Sequence, residues 1–222
     1  MRKKLLLVTL LFATSTALAS GVMPETSTVI LNDADGGGSI NVKNTEATPV
    51  LLYTRINNLQ DDSDPTVIPS QPVVRLEAGE TQKVRFLING TLRDSVEHIK
   101  RVVFESIPVS EGNASKFAMS VSQDVPLLIE PNNLKSEKNV WQKIKWEKIS
   151  NVIRMTNTSS EVVRFQPQLQ AIPTNEKLTI KKSYILPHET IDINVKNASV
   201  SKIAFSPVTK YGYSAGEQHI DL

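Results

Sequence analysis

The stretch Lys116-Phe117-Ala118-Met119-Ser120-Val121-Ser122-Gln123-Asp124-Val125-Pro126-Leu127-Leu128-Ile129-Glu130 alternates apolar and polar residues with the two-residue period of a β-strand. Phe117, Met119, Val121, Val125, Leu127 and Ile129 share one face, and such a face needs an apolar partner. Periodicity alone leaves two destinations for it, the protein's own core or another chain. Pro126 has no N–H to give to a ladder, which places the segment at a sheet edge or a strand end. Exposed edges that pair with other chains are normally protected, so an unprotected one points to a binding role.

Upstream, from Thr26 to this strand, the chain repeats the pattern in short units rich in Val, Ile and Thr. They include Ser27-Thr28-Val29-Ile30-Leu31, Ser39-Ile40-Asn41-Val42-Lys43-Asn44, Val50-Leu51-Leu52-Tyr53-Thr54-Arg55-Ile56, Thr81 to Ile88 and Arg101-Val102-Val103-Phe104-Glu105. Asp35-Gly36-Gly37-Gly38 and Ala78-Gly79-Glu80 read as turns between them. About seven strands in roughly 110 residues describe an immunoglobulin-like sandwich. Downstream, polar residues from Pro131 to Asn139 interrupt the pattern, and strands resume over Trp141 to Ile149, Val152 to Asn157, Val162 to Ile172, Lys177 to Ile180, Thr190 to Asn194 and Lys202 to Phe205. No stretch has a sustained helical period. The expected class is all-β, with two sandwiches at 20–130 and 139–222 joined by a linker at 131–138. One large sandwich is the alternative.

At the start, Met1-Arg2-Lys3-Lys4 is cationic, and the apolar run from Leu5 to Ala13 has the length of a signal-peptide core, too short to span a bilayer. Ala17-Leu18-Ala19 supplies small residues at cleavage spacing, so 1–19 is expected to be removed on export, leaving a soluble mature chain without a membrane span. The chain has no cysteine, which excludes disulfides, thiolate metal sites and a cysteine nucleophile. A formal charge of +2 gives no reason to expect nucleic-acid binding.

His98, His188 and His219 stand apart from one another and from carboxylates at ligand spacing, so no metal site and no cofactor is expected. Serines are common but none sits in a nucleophile elbow. Asp33-Ala34-Asp35-Gly36 and Asp61-Asp62-Ser63-Asp64 lack the full calcium-loop pattern and read as solvated loops. The chain is not expected to be an enzyme.

In this order, several motifs resemble the periplasmic chaperones of chaperone–usher pili. They are Ser27 to Leu31, Pro72-Val73-Val74-Arg75-Leu76-Glu77-Ala78-Gly79-Glu80 with Val84-Arg85-Phe86, Phe104-Glu105-Ser106-Ile107-Pro108 and Leu127-Leu128-Ile129-Glu130-Pro131. In the second half Trp141, Met155-Thr156-Asn157-Thr158, Tyr184 to Glu189 and Lys210-Tyr211-Gly212 stand at related positions. Singly each is weak; together they span nearly the whole mature chain.

That resemblance implies two immunoglobulin-like domains set as a boomerang, and a periplasmic chaperone that lends a strand to pilus subunits and passes them to an outer-membrane usher. By matching positions Phe117, Met119 and Val121, extended by Val125, form the donated stripe. Better-known members anchor the subunit's terminal carboxylate with an Arg on the first strand and a Lys on the donor strand. Thr28 and Pro126 occupy those places here, so the sequence resembles a divergent branch in which a cation on the preceding strand does this work. The matching residue is Arg101, with Lys145 or Lys143 as a second cation. The family's interdomain charge network maps to Glu97, Glu130 and Lys210, with both end charges inverted together. A free chaperone of this kind could cap its own edge in an oligomer. The alternative function is an exported structural or adhesive sandwich, such as a pilus subunit or a sugar-binding protein.

Overall fold

A computed structural model describes residues 21–90, 92, 95–109 and 120–222. Among the described residues nine strands make the first half: β1 (Val22–Pro24), β2 (Val29–Asn32), β3 (Gly37–Asn44), β4 (Val50–Asn57), β5 (Thr66–Pro69), β6 (Val73–Leu76), β7 (Thr81–Asn89), β8 (His98–Pro108) and β9 (Val121–Glu130). They hydrogen-bond in the order β5-β7-β3-β2-β9-β8-β4-β6, with β1 added to β3. The path closes on itself as a sandwich because β2 passes from one layer to the other. It meets β3 at the single antiparallel pair Asn32 and Gly37, then runs parallel to β9 from Val29 beside Leu127 to Asn32 beside Glu130.

Gly37 and Gly38 permit this crossing. A Cβ on Gly37 would lie 2.0 Å from the carbonyl oxygen of Phe86, and one on Gly38 would lie 2.9 Å from that of Ile30. The turn itself is Asp33–Asp35 closed by Gly36 in the left-handed region, so Gly37 and Gly38 belong to β3.

Strand alternation explains the core. Along β7, Val84 and Phe86 point inward while Lys83, Arg85 and Leu87 stay outside. Phe86 meets Phe104 of β8 edge-on at 6.5 Å, among Leu31, Val42, Leu52, Leu76, Leu127 and Ile129. The alternation fails at the end of β9, where Leu127, Leu128 and Ile129 are all buried. Leu127 and Ile129 enter this core, whereas Leu128 faces the other way and packs with Ile99 and with Val162 of the second half. Two apolar environments at once account for three successive buried residues.

The second half contains β10 (Ile144–Ile149), β11 (Val152–Asn157), β12 (Val163–Phe165), β13 (Gln168–Ile172), β14 (Glu176–Thr179), β15 (Tyr184–Ile185), β16 (Thr190–Asn194), β17 (Lys202–Phe205), β18 (Pro207–Val208) and β19 (Gln218–Asp221). Three sheets, β10-β11-β16, β15-β12-β18 and β14-β13-β17-β19, surround a second core that includes Met155, Phe165, Ile203 and Phe205. The sequence reads 162–172 as one strand; Pro167 divides it into β12 and β13. Trp141 to Lys143, read as the start of a strand, forms a 3-10 turn before β10.

One device is used in both halves. Asn44, closing β3, donates Nδ2 to the carbonyls of Thr48, Leu76 and Glu77 at 3.0, 3.3 and 3.0 Å. Asn157, closing β11, donates to Glu161, Ile185 and Leu186 at 2.8, 3.4 and 3.0 Å. Each side-chain oxygen also accepts the backbone N–H two residues on. A fully buried amide thereby ties the end of one strand to a neighbouring segment, as burial of a polar group requires. The class is all-β, two immunoglobulin-like sandwiches, as the sequence leads one to expect.

Candidate functional site

Along one side β9 is paired with β8 throughout, from His98 beside Ile129 to Ser106 beside Val121. Along the other, β2 covers only residues 127–130. Residues 121–126 therefore present a free edge, with no strand beside it among the described residues. Pro126, which has no N–H to offer, stands at the step between the covered and uncovered parts. Val121 is half-buried, its Cβ within 3.2 Å of where a Cβ on Gly21 would stand, and Val125 packs partly on the first core. Phe117 and Met119, the other members of the expected stripe, lie outside the described residues.

Beside this edge is a cleft of about 820 Å³ lined from both halves. Arg101 enters it from β8, diagonal to Asp124 across the β8–β9 ladder. Its Nε donates to Asp124 Oδ1 at 2.9 Å and its Nη2 to the Asp124 carbonyl at 2.7 Å. The side chains of this pair are 32% and 51% exposed, so the contact is screened and open to exchange. Arg164, on β12, lines the same cleft from the opposite half and is only 8% exposed. Lys145 does not line it: on β10 it pairs with Glu147 at 2.8 Å and is 63% exposed. Lys143 pairs with Glu137 at 2.9 Å.

Glu97, Glu130 and Lys210 meet at the junction between the halves. The Lys210 ammonium contacts the Glu130 carboxylate directly and stands 3.9 Å from Glu97 Oε1. Glu97 is buried to 2% exposure; its Oε2 accepts the Val162 N–H at 2.8 Å, and its own N–H donates to the Ser160 carbonyl at 2.8 Å. Burial pushes the Glu97 carboxyl up to about 7, against the opposing pull of the Val162 N–H and Lys210. Burial likewise draws the Lys210 ammonium below its ordinary value, with Glu97 opposing.

The acidic run read as a solvated loop is otherwise. Asp62 is 8% exposed and accepts the Ile99 N–H at 2.6 Å beside His98 Nδ1 at 2.7 Å. Its carbonyl takes the ammonium of Lys100, a fully buried lysine whose pKa burial lowers. Asp61 reaches across to the second half, accepting from Tyr184 Oη and Lys182 Nζ at 2.6 Å each. These partners lie 36 to 123 residues away in sequence, which is why the run gives no sign of them. Among the described residues no group of three or more potential ligands could hold a metal ion, and no helix is long and apolar enough to cross a membrane.

Two sandwiches share a cationic cleft, with an open strand edge beside it. Residues 21–135 fit the family described as pili and flagellar-assembly chaperone, PapD N-terminal domain. The chain is 39% identical over 206 residues to the fimbrial chaperone YhcA of Escherichia coli K12, covering 92% of each. It is 20% identical to the Escherichia coli chaperone protein CssC, over 81% of this chain and 82% of that one. Among solved structures it resembles the complex of SafA pilin with the SafB chaperone of Salmonella enterica, with a TM-score of 0.73, 18% identity and coverage of 93% and 99%. It also resembles the chaperone–tip adhesion subunit complex CsuC–CsuE of Acinetobacter baumannii, with a TM-score of 0.62, 16% identity and coverage of 91% and 98%. The chain belongs to the family of fimbrial chaperones that serve pilus assembly, a family whose role is not enzymatic.

Proposed function

We propose that this chain is a periplasmic chaperone that holds pilus subunits by donor-strand complementation and delivers them to an outer-membrane usher. The leader 1–19 takes it to the periplasm; domain 20–130 binds the subunit, and domain 139–222 follows a linker at 131–138. The observation that carries the reading is the free edge of β9 over residues 121–126. A subunit lacking a strand pairs its own open edge with these residues and buries the stripe formed by Phe117, Met119 and Val121, with Val125 at its inner end. Each such side chain contributes about 1.5–3 kcal/mol when fully buried, and the ladder fixes register.

Arg101 anchors the subunit's terminal carboxylate. In the free protein Asp124 occupies the guanidinium, so capture exchanges one carboxylate for another, and the planar fork can take both oxygens of the incoming group. The Glu97–Lys210–Glu130 cluster fixes the angle between the domains. Co-expression with candidate pilus subunits, followed by co-purification from the periplasm, tests the reading. Met119→Asp abolishes recovery of the subunit while the chaperone stays folded, because a charge in a dry groove costs several kcal/mol. Recovery unchanged by Met119→Asp contradicts it.

A further inference from the structure

Among the described residues of β9, the apolar face is interrupted once, by Gln123 between Val121 and Val125. Gln123 and Val125 line a cavity of about 470 Å³, together with Val22, Met23 and Pro24 of β1 and with Tyr213 from the second half. Tyr213 sits on a hairpin that Val208 and Ser214 close. Its N–H donates to Thr209 Oγ1 at 3.1 Å, and its carbonyl accepts the Thr209 N–H at 2.8 Å. Three further contacts fasten the hairpin. Arg164 Nη2 donates to the carbonyls of Thr209 and Lys210 at 2.8 and 2.7 Å, the Lys210 ammonium meets Glu130, and Ser27 Oγ donates to the Tyr211 carbonyl at 2.9 Å. On this fixed backbone Tyr213 is 73% exposed, and Met23 in the same lining is 55% exposed. Glu25, the one charged residue of the lining, is taken by Asn41, whose N–H and Nδ2 donate to its two carboxylate oxygens at 3.0 and 2.9 Å.

We infer that Tyr213, Met23 and Val125 take one apolar side chain of the captured subunit, so that the second sandwich helps to choose the subunit at the register where Gln123 breaks the stripe. The inference rests on capture along β9 and adds which residues read the subunit's side chains. A strand laid along 121–126 turns every second side chain to the face that carries Gln123 and Val125, the two β9 residues of the cavity. With Glu25 occupied, a ring, a thioether and branched methyls are what the pocket offers, and these suit an aliphatic or aromatic side chain. The exposed ring stands on a backbone that is already ordered, so burying it against the subunit costs little freedom. Tyrosines placed in this way carry a large share of binding energy. Because Gln123 and Val125 belong both to the cavity and to the open edge, the two form one continuous surface.

The test uses the mature full chain and a pilus subunit that co-purifies with it from the periplasm. With the photo-reactive p-benzoylphenylalanine at position 213 the chaperone cross-links to the subunit, and with the same group in place of the exposed Ile149, on β10, it does not. Calorimetry shows Tyr213→Ala weakening binding by about ten-fold or more, while Tyr213→Phe stays within about two-fold. The urea midpoint of Tyr213→Ala equals that of the wild type, as loss of an exposed side chain implies, so a folding defect does not produce the effect. Binding by Tyr213→Ala as tight as by the wild type, with the amides of 121–125 protected in its complex, overturns this inference and leaves capture along β9 standing. A wild-type complex in which those amides are unprotected overturns both.

Discussion

Arg101 holds Asp124 through two donors, Nε to the carboxylate and Nη2 to the backbone carbonyl, so the free protein carries its own carboxylate in the place proposed for the subunit's. The contact is half-exposed and contributes on the order of 0–1 kcal/mol. Asp124→Asn therefore tightens subunit binding, by up to about five-fold, because the competitor is weakened. Arg101→Ala acts in the opposite direction and weakens binding by about 30-fold or more, as loss of one partner of a hydrogen-bonded charge pair does. Affinity of each purified variant for one co-purified subunit, measured by calorimetry, checks the pair; tighter binding by Arg101→Ala contradicts the anchor.

Lys210 lies against Glu130 and near Glu97, so reversing both end charges, Glu130→Lys with Lys210→Glu, keeps an attraction that each single reversal destroys. Each single variant puts like charges in contact at a partly buried junction and loses subunit recovery from the periplasm. The double variant regains it. A double variant as impaired as the worse single one shows that the contact does not set domain geometry.

The Glu97 carboxyl moves from an ordinary 4.5 to about 7 on folding, so between those values the folded chain holds a proton that the unfolded chain has released. Its contribution to stability is therefore greatest below about pH 4.5 and declines as pH rises to about 7. Urea midpoints measured from pH 4 to pH 8 should show the wild type losing stability relative to Glu97→Gln over that window. Parallel curves would mean that burial does not perturb the group.

Asp62→Ala removes the acceptor of the Ile99 N–H and one contact of His98, leaving the buried Ile99 N–H unsatisfied. The expected loss is about 2–4 kcal/mol. Asp33→Ala, in the exposed turn before Gly36, changes stability by about 0.5 kcal/mol or less. Chemical denaturation of the two variants side by side tests the contrast, and equal losses contradict it.

What the sequence made legible was what period two and turn chemistry can carry. The alternation of β3 and β7, the two-sandwich plan and the edge character marked by Pro126 all follow from local pattern, whereas the alternation along β9 left open whether its apolar face meets the core or another chain. Strands such as β5, β6 and β15, two to four residues long, are too short for alternation to register. Asp62, Arg164 and Lys100 could not be placed because their environments come from segments 36 or more residues away, and an acidic run or an isolated Arg reads the same whether solvated or buried. Asn44-Thr45 and Asn157-Thr158 were a usable signal, since the same dipeptide closes a strand in each half.

The proposed function requires that another chain completes the sheet at β9. Backbone amide hydrogen exchange, measured on the free chaperone and on its complex with a co-purified subunit, addresses it directly. Amides within residues 121–125 are expected to slow by at least about ten-fold in the complex, while those of 127–129, already flanked by β2 and β8, change little. A stable complex in which 121–125 exchange as fast as in the free protein would contradict it.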